Sequence, residues 1–240
     1  METDILIQWK QRHLEKHLKT HDDRNVGFIY DGIVDIDEWS KTTKKRACFF
    51  LKEAYMKDVR EETDLCEWLC NGNVIKLWHT VADWVYAVQN VTTNFIPAYT
   101  DIDSYELARI KSSAVVNIKK SNGTPVSNDA DLMKYVTDDA DLIQKQLYEI
   151  APEIIVCGNT SYFLELVFGA KTDEKGWIVE NANYNGFEID HKELNRKGFY
   201  WAGDTLIIDF CHPANRFDRM GKYYAFAALY QQALKEKGCS

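Results

Sequence analysis

Proline is scarce in this sequence, 4 residues in 240, and there is no internal repeat and no low-complexity linker. One domain of 240 residues, with 45% apolar content to build a core, is the expectation. No apolar run approaches the ~20 residues a membrane helix requires, and METDILIQWKQRH at the N-terminus has no apolar signal core. No membrane partner is expected, and a cytoplasmic location is. The six cysteines, without a secretion signal, read as reduced thiols. Cys66 and Cys70 share a helix face, but no second Cys or His pair follows at zinc spacing, so they are assigned to packing. No metal and no cofactor are expected. Positive charge is also short: the net charge of −8 excludes a general nucleic-acid binder, though not a local basic groove at residues 41–46 or at Lys119-Lys120. Neither G-x-G-x-x-G after the first strand nor G-x-x-x-x-G-K-[ST] is present, which removes the commonest nucleotide folds.

What the chain does contain is four short apolar runs separated by helical patterns. The first, Ala47-Cys48-Phe49-Phe50-Leu51, is bounded by basic residues before and by Lys52-Glu53 after. Residues 114–118, 153–157 and 205–210 are similar. Continuous apolar runs of this length suit strands buried on both faces of a parallel sheet. Helices are predicted over 1–21, 61–71, 74–89, 104–111, 129–150, 162–168 and 220–235, with Thr160 or Ser161 as a cap before the sixth. Residues 25–39 read as a loop with a short extended piece, and 177–190 as one hairpin tipped by Asn183–Asn185. The tryptophans of 74–89 are assigned to the core rather than to a stacking platform. His13, His17 and His21 recur on one helix face, read as solvated rather than metal-binding, because HLEKH does not place its Glu as the zinc-protease motif does. The predicted architecture is a three-layer α/β/α sandwich around a four-stranded parallel sheet, with a hairpin insertion and a helical extension over 1–45.

In such sheets ligands collect at the carboxyl ends of the strands. Those ends offer Lys52, Glu53 and Tyr55, then Asn117 and Lys119, then Asn159, Thr160 and Ser161, then His212, Asn215 and Arg216. A carboxylate, a histidine and amides converging on one crevice are what acid/base chemistry needs. Pro213 fixes the backbone after His212 and so fixes where the imidazole points.

These motifs, in this order, resemble the uracil-DNA glycosylase superfamily over roughly residues 46–220. Leu51-Lys52-Glu53-Ala54-Tyr55-Met56 stands where the family has G-Q-D-P-Y-H, Val115-Val116-Asn117 where a strand ends in a base-reading Asn, and His212-Pro213-Ala214 where it has H-P-S. The resemblance implies Glu53 and His212 as catalytic residues, Tyr55, Asn117 and Asn159 as base-binding, and Lys52, Lys119, Lys120, Ser161, Asn215, Arg216 and Phe217 as contacts to DNA. Ala54 and Ala214 replace the family's Pro and Ser, and Arg216 or Phe217 would have to take the place of a Leu wedge. The implied activity is a monomeric, monofunctional DNA glycosylase that flips out and excises uracil or a modified pyrimidine and leaves an abasic site. A hypermodified cytosine of phage DNA, excised in antiphage defence, falls within that class, and the hairpin is a candidate for admitting the bulkier base. Two alternatives stand beside it: a non-catalytic relative that binds nucleic acid or protein, and a hydrolase of free nucleosides, which the acidic charge suits.

Overall fold

The computed structural model describes residues 4–17, 27–55, 62–124 and 126–238. Six strands form one sheet: β1 (Gly32–Ile33), β2 (Ala47–Glu53), β3 (Ala114–Lys119), β4 (Ile154–Gly158), β5 (Phe199–Ala202) and β6 (Thr205–Phe210). Their spatial order is β5-β6-β4-β2-β3-β1. The four middle strands pair in parallel, with Phe49 opposite Val115 on one side and opposite Val156 on the other. The edge strands run antiparallel, β5 to β6 and β1 to β3. The sheet is therefore mixed and six-stranded, which corrects the expected four-stranded parallel one. The two added strands are short edges: β5 returns through the two-residue Gly203-Asp204 turn, and β1 is a two-residue extended piece within 25–39 whose place in the sheet was not expected.

Alternate residues of β2 bury into opposite cores. Cys48 and Phe50 join one apolar cluster, Ala47, Phe49 and Leu51 the other, and all five are 3% exposed or less. That two-sided burial is why the run is continuous rather than alternating. The first cluster is covered by α1 (Asp4–Arg12), α2 (Ile36–Lys41), α6 (Asp129–Ile150), α7 (Ser161–Val167) and α8 (His191–Lys197). The second is covered by α3 (Leu65–Cys70), α4 (Lys76–Asn90), α5 (Glu106–Lys111) and α9 (Arg219–Lys237). Helix starts follow capping chemistry: Asn128 Oδ1 accepts from the Ala130 and Asp131 N–H groups, and Asp64 accepts from Glu67 N–H. Thr160 does not cap α7 with its side chain. Its hydroxyl donates to Phe50 O at 2.6 Å and ties β2 to the turn after β4.

Three further expectations are revised. The first helix gives way to a π-turn at His13–His17, where both histidines are buried rather than solvated: His17 sits 3.0 Å from Asp139 and stacks on Tyr135. His21 lies outside the described residues, as does Met56. The insertion is two antiparallel pairs, not one hairpin. Lys171–Thr172 pairs with Ile178–Glu180, and Ala182–Tyr184 with Phe187–Ile189. Asn185 and Gly186 turn the second pair with φ of 53° and 83°, the left-handed geometry that an Asn-Gly hairpin turn requires. Tyr184 is buried against Phe168, so this insertion packs into the first core. Third, Lys52 and Glu53 are the last residues of β2, in register with β3 through Glu53 and Lys119, not the start of a loop beyond it. Among the described residues no helix is long and apolar enough to cross a membrane.

Candidate active site

Because β2, β3, β4 and β6 are parallel, their carboxyl ends share one edge, and a cavity of about 870 Å³ opens there. That volume lies in the upper part of the ~300–1,000 Å³ range of small-molecule sites. Lys52, Glu53, Tyr55, Asn117, Asn159 and His212 all line it. Strands far apart in sequence thus deliver the expected carboxylate, amides and imidazole to one space.

Glu53 is held from three directions. Its side chain is 5% exposed, Lys119 Nζ stands 3.5 Å away, and Thr124 N–H donates to Oε1 at 3.3 Å. Gly123 lies directly against it: a Cβ there would fall 2.5 Å from Glu53 Cγ, so a larger residue would displace the carboxylate. Asn117 is 2% exposed, and both its backbone N–H and its Nδ2 donate to Asp31 Oδ2, at 2.8 and 3.0 Å. Asn159 follows β4 with φ of 60°, an uncommon conformation for a non-glycine residue and one that collects at functional sites. Tyr55 is half-exposed at the rim.

His212 opens the loop after β6. Its Nδ1 accepts from Ala214 N–H at 3.2 Å. In the neutral ring this leaves the proton on Nε2. Burial lowers its pKa to about 4, with the positive charges of Lys52 and Lys222 acting in the same direction. The loop is fastened by Lys222 of α9, whose ammonium, 4% exposed as a residue, donates to Pro213 O at 2.8 Å, Asn215 O at 3.2 Å and Thr80 Oγ1 at 3.1 Å. Gly158 permits the loop's approach, since a Cβ there would meet Leu51 Cδ2 at 2.6 Å and Pro213 Cδ at 3.2 Å.

The expected DNA contacts fare differently. Lys120 is fully buried in an ion pair with Asp31, and Lys119, 3% exposed, bridges Glu53 and Asp131. Neither is a surface phosphate contact. Carboxylate partners, met only through the fold, offset the hydration that these two lysines lose on burial. Lys52 lines the cavity but spends its charge on Asp129 at 2.6 Å. Ser161 belongs to another cavity, with Glu165 and His191, and is tied to Asp209. Asn215 braces its own turn by accepting from Phe217 N–H at 3.3 Å, while Arg216 and Phe217 are exposed beside it. The inserted hairpins line none of this cavity.

Part of the lining was not anticipated. Trp68 of α3, Ile75 before α4 and Trp78 within it line the same cavity as Glu53 and His212. Trp78 was assigned to the core, and it is 5% exposed while lining the cavity. One signal was available: Ile75 occupies the N-cap of α4, a place where Ser, Thr, Asp or Asn is usual, and makes no capping bond. Among the described residues, no group of three or more His, Cys, Asp or Glu is arranged to hold a metal ion. No family model, curated protein or solved structure matches this chain.

Proposed function

We propose that this chain is a pyrimidine N-glycosylase of the uracil-DNA glycosylase type, acting on uracil or a modified pyrimidine in DNA. The observation that carries the reading is the convergence of Glu53, Asn117 and His212, at the ends of three strands, on one cavity that Trp68 and Trp78 also line. The parallel order β3-β2-β4-β6, with a motif at the end of each of these strands, gives further support.

The chemistry follows from the groups. When the C1′–N1 bond breaks, its electron pair leaves with the base and the sugar becomes cationic. Glu53 stabilises that cation and orients the water whose oxygen bonds to C1′, and the proton the water sheds is taken up by Glu53 and passes to the departing base anion. His212, neutral with its proton on Nε2, donates to the base carbonyl as negative charge grows on it, a role worth on the order of 3 kcal/mol. Asn117 reads the base edge, and Trp68 and Tyr55 bracket the flipped ring.

DNA carrying uracil, hydroxymethylcytosine or glucosylated cytosine, incubated with the protein and then treated with alkali, tests this. Strand breaks at one base are expected, with Glu53→Gln and His212→Ala each slowing excision by roughly 100-fold or more. Absence of breaks on every substrate would overturn the reading.

One observation favours a second reading, a hydrolase of free nucleosides. Lys52, Lys119 and Lys120 are all spent on carboxylates within the protein, which leaves little charge for a phosphate backbone. Release of base from free nucleosides but not from DNA distinguishes it.

A further inference from the structure

Behind Asn117, on the side away from the cavity, lies a buried polar cluster that the reaction itself does not require. Asp31 and Lys120 have fully buried side chains and are paired through Oδ1 and Nζ. Gln146 joins them, donating from Nε2 to Asp31 Oδ1 at 3.0 Å and accepting from Lys120 at 2.9 Å. The Trp9 ring lies 4.3 Å from the ammonium. Asp31 Oδ2 takes the two remaining donors, the backbone N–H and Nδ2 of Asn117.

A side-chain amide can face either way, and its neighbours decide which. A carboxylate beside an ammonium only accepts hydrogen bonds, so Asn117 must turn Nδ2 toward Asp31. Its Oδ1 is then left on the other side. Among the described residues nothing donates to that oxygen, although the residue is 2% exposed and lines the cavity. An acceptor that opens on a cavity with no protein donor beside it is free to take a ligand's donor, and covering it with a ligand that offers none is costly.

We propose that Asp31 is a positioning residue that sets specificity: with Lys120 it locks the Asn117 amide so that Oδ1 faces the cavity, which selects a base whose edge donates a ring N–H. The identity of the ligand as a pyrimidine rests on the glycosylase reading, whereas the amide lock rests on the cluster alone. The locked site rejects an analogue without the donor, because Oδ1 would stay unpaired. With Asp31 converted to an amide, residue 31 can donate as well as accept, and Asn117 is free to turn over.

The test compares the full chain with the double variant Asp31→Asn/Lys120→Met, which removes both charges together and so leaves no unpaired buried ion. Excision of uracil and of 3-methyluracil from the same oligonucleotide is measured for both proteins. The wild type is expected to prefer uracil by at least 100-fold. In the variant that ratio falls by 10-fold or more, through kcat/KM for uracil, with the melting temperature of the fold retained. An unchanged ratio in a folded variant overturns the proposal. If the wild type excises nothing, the glycosylase reading fails, and the lock is decided separately by amide NMR. One side-chain Nδ2 proton of Asn117, assigned by its loss in Asn117→Asp, is expected to be protected from exchange in the wild type and unprotected in the double variant. Equal, rapid exchange in both overturns the lock.

Discussion

At the scale of single residues, the imidazole of His212 makes the sharpest statement. Its ordinary pKa is near 6.5 and the folded value is about 4, because burial disfavours the charged ring. Between those two values the unfolded chain binds a proton that the folded chain does not. The neutral ring's contribution to stability is therefore complete above pH 6.5 and is lost as pH falls toward 4. The same shift fixes the activity profile: a neutral donor persists through the whole range from pH 7 down to about 5. The acid limb of kcat/KM attributable to His212 is expected near pH 4. A basic limb, with activity lost as pH rises through about 6.5 and abolished in His212→Ala, would mean that the ring works as a cation, contrary to the role assigned here. The strand-end residues Glu53, Asn117 and His212 were legible from the ends of apolar runs, but their partners and the lining residues Trp68, Ile75 and Trp78 were not. Lys119 and Lys120 look like a solvated basic loop in the sequence, because charge there signals exposure. Only the fold brings Asp131 and Asp31 to them.

At the scale of elements, the site depends on how closely the loop after β6 approaches the end of β4. Gly158 is what allows it. A methyl group there would press on Leu51 at 2.6 Å and on Pro213 at 3.2 Å, and Leu51 is core and cannot move away. Gly158→Ala is expected to cost about 1–3 kcal/mol of stability by overpacking. It should also lower kcat more than it raises KM, because the His212 donor is shifted off the base carbonyl. Denaturant unfolding and steady-state kinetics check the two parts; full activity with native stability would show that the loop does not need this contact. The elements themselves were readable in proportion to how much local sequence defined them. Helix α6 and strand β6 fall on the expected residues, 129–150 and 205–210, since a cap or breaker bounds each apolar pattern. Strands β1 and β5 are two and four residues at the sheet edge, partly exposed; β1 has no apolar run and is set by pairing to β3, whereas Phe199–Ala202 is an apolar run between two glycines, short enough to be passed over, that folds back on β6.

For the whole molecule, the question is how an acidic protein would hold a polyanion. Its formal net charge is −8, and the lysines expected to form a groove are paired internally at the cavity or beneath it. Among the described residues, the exposed cations left near the opening are Lys76, which lines the cavity, and Arg216, in the loop that carries His212. If the glycosylase reading holds, shape and stacking, not charge, must supply the affinity, with the exposed Phe217 as the wedge and Trp68, which lines the cavity, as the ring that receives the base. With about two phosphates neutralised by these two cations, log K should fall against log salt with a slope of about −2, a loss of roughly 10- to 20-fold between 50 and 200 mM. Fluorescence anisotropy of a labelled duplex carrying the substrate base checks this, with the inactive Glu53→Gln variant used to keep the DNA intact. A slope steeper than about −6 would require a basic surface of several more cations than these and would contradict the account. A shallow slope together with Phe217→Ala weakening binding about 10-fold would place recognition in the flipped base and its wedge, where a protein of this charge can best achieve it.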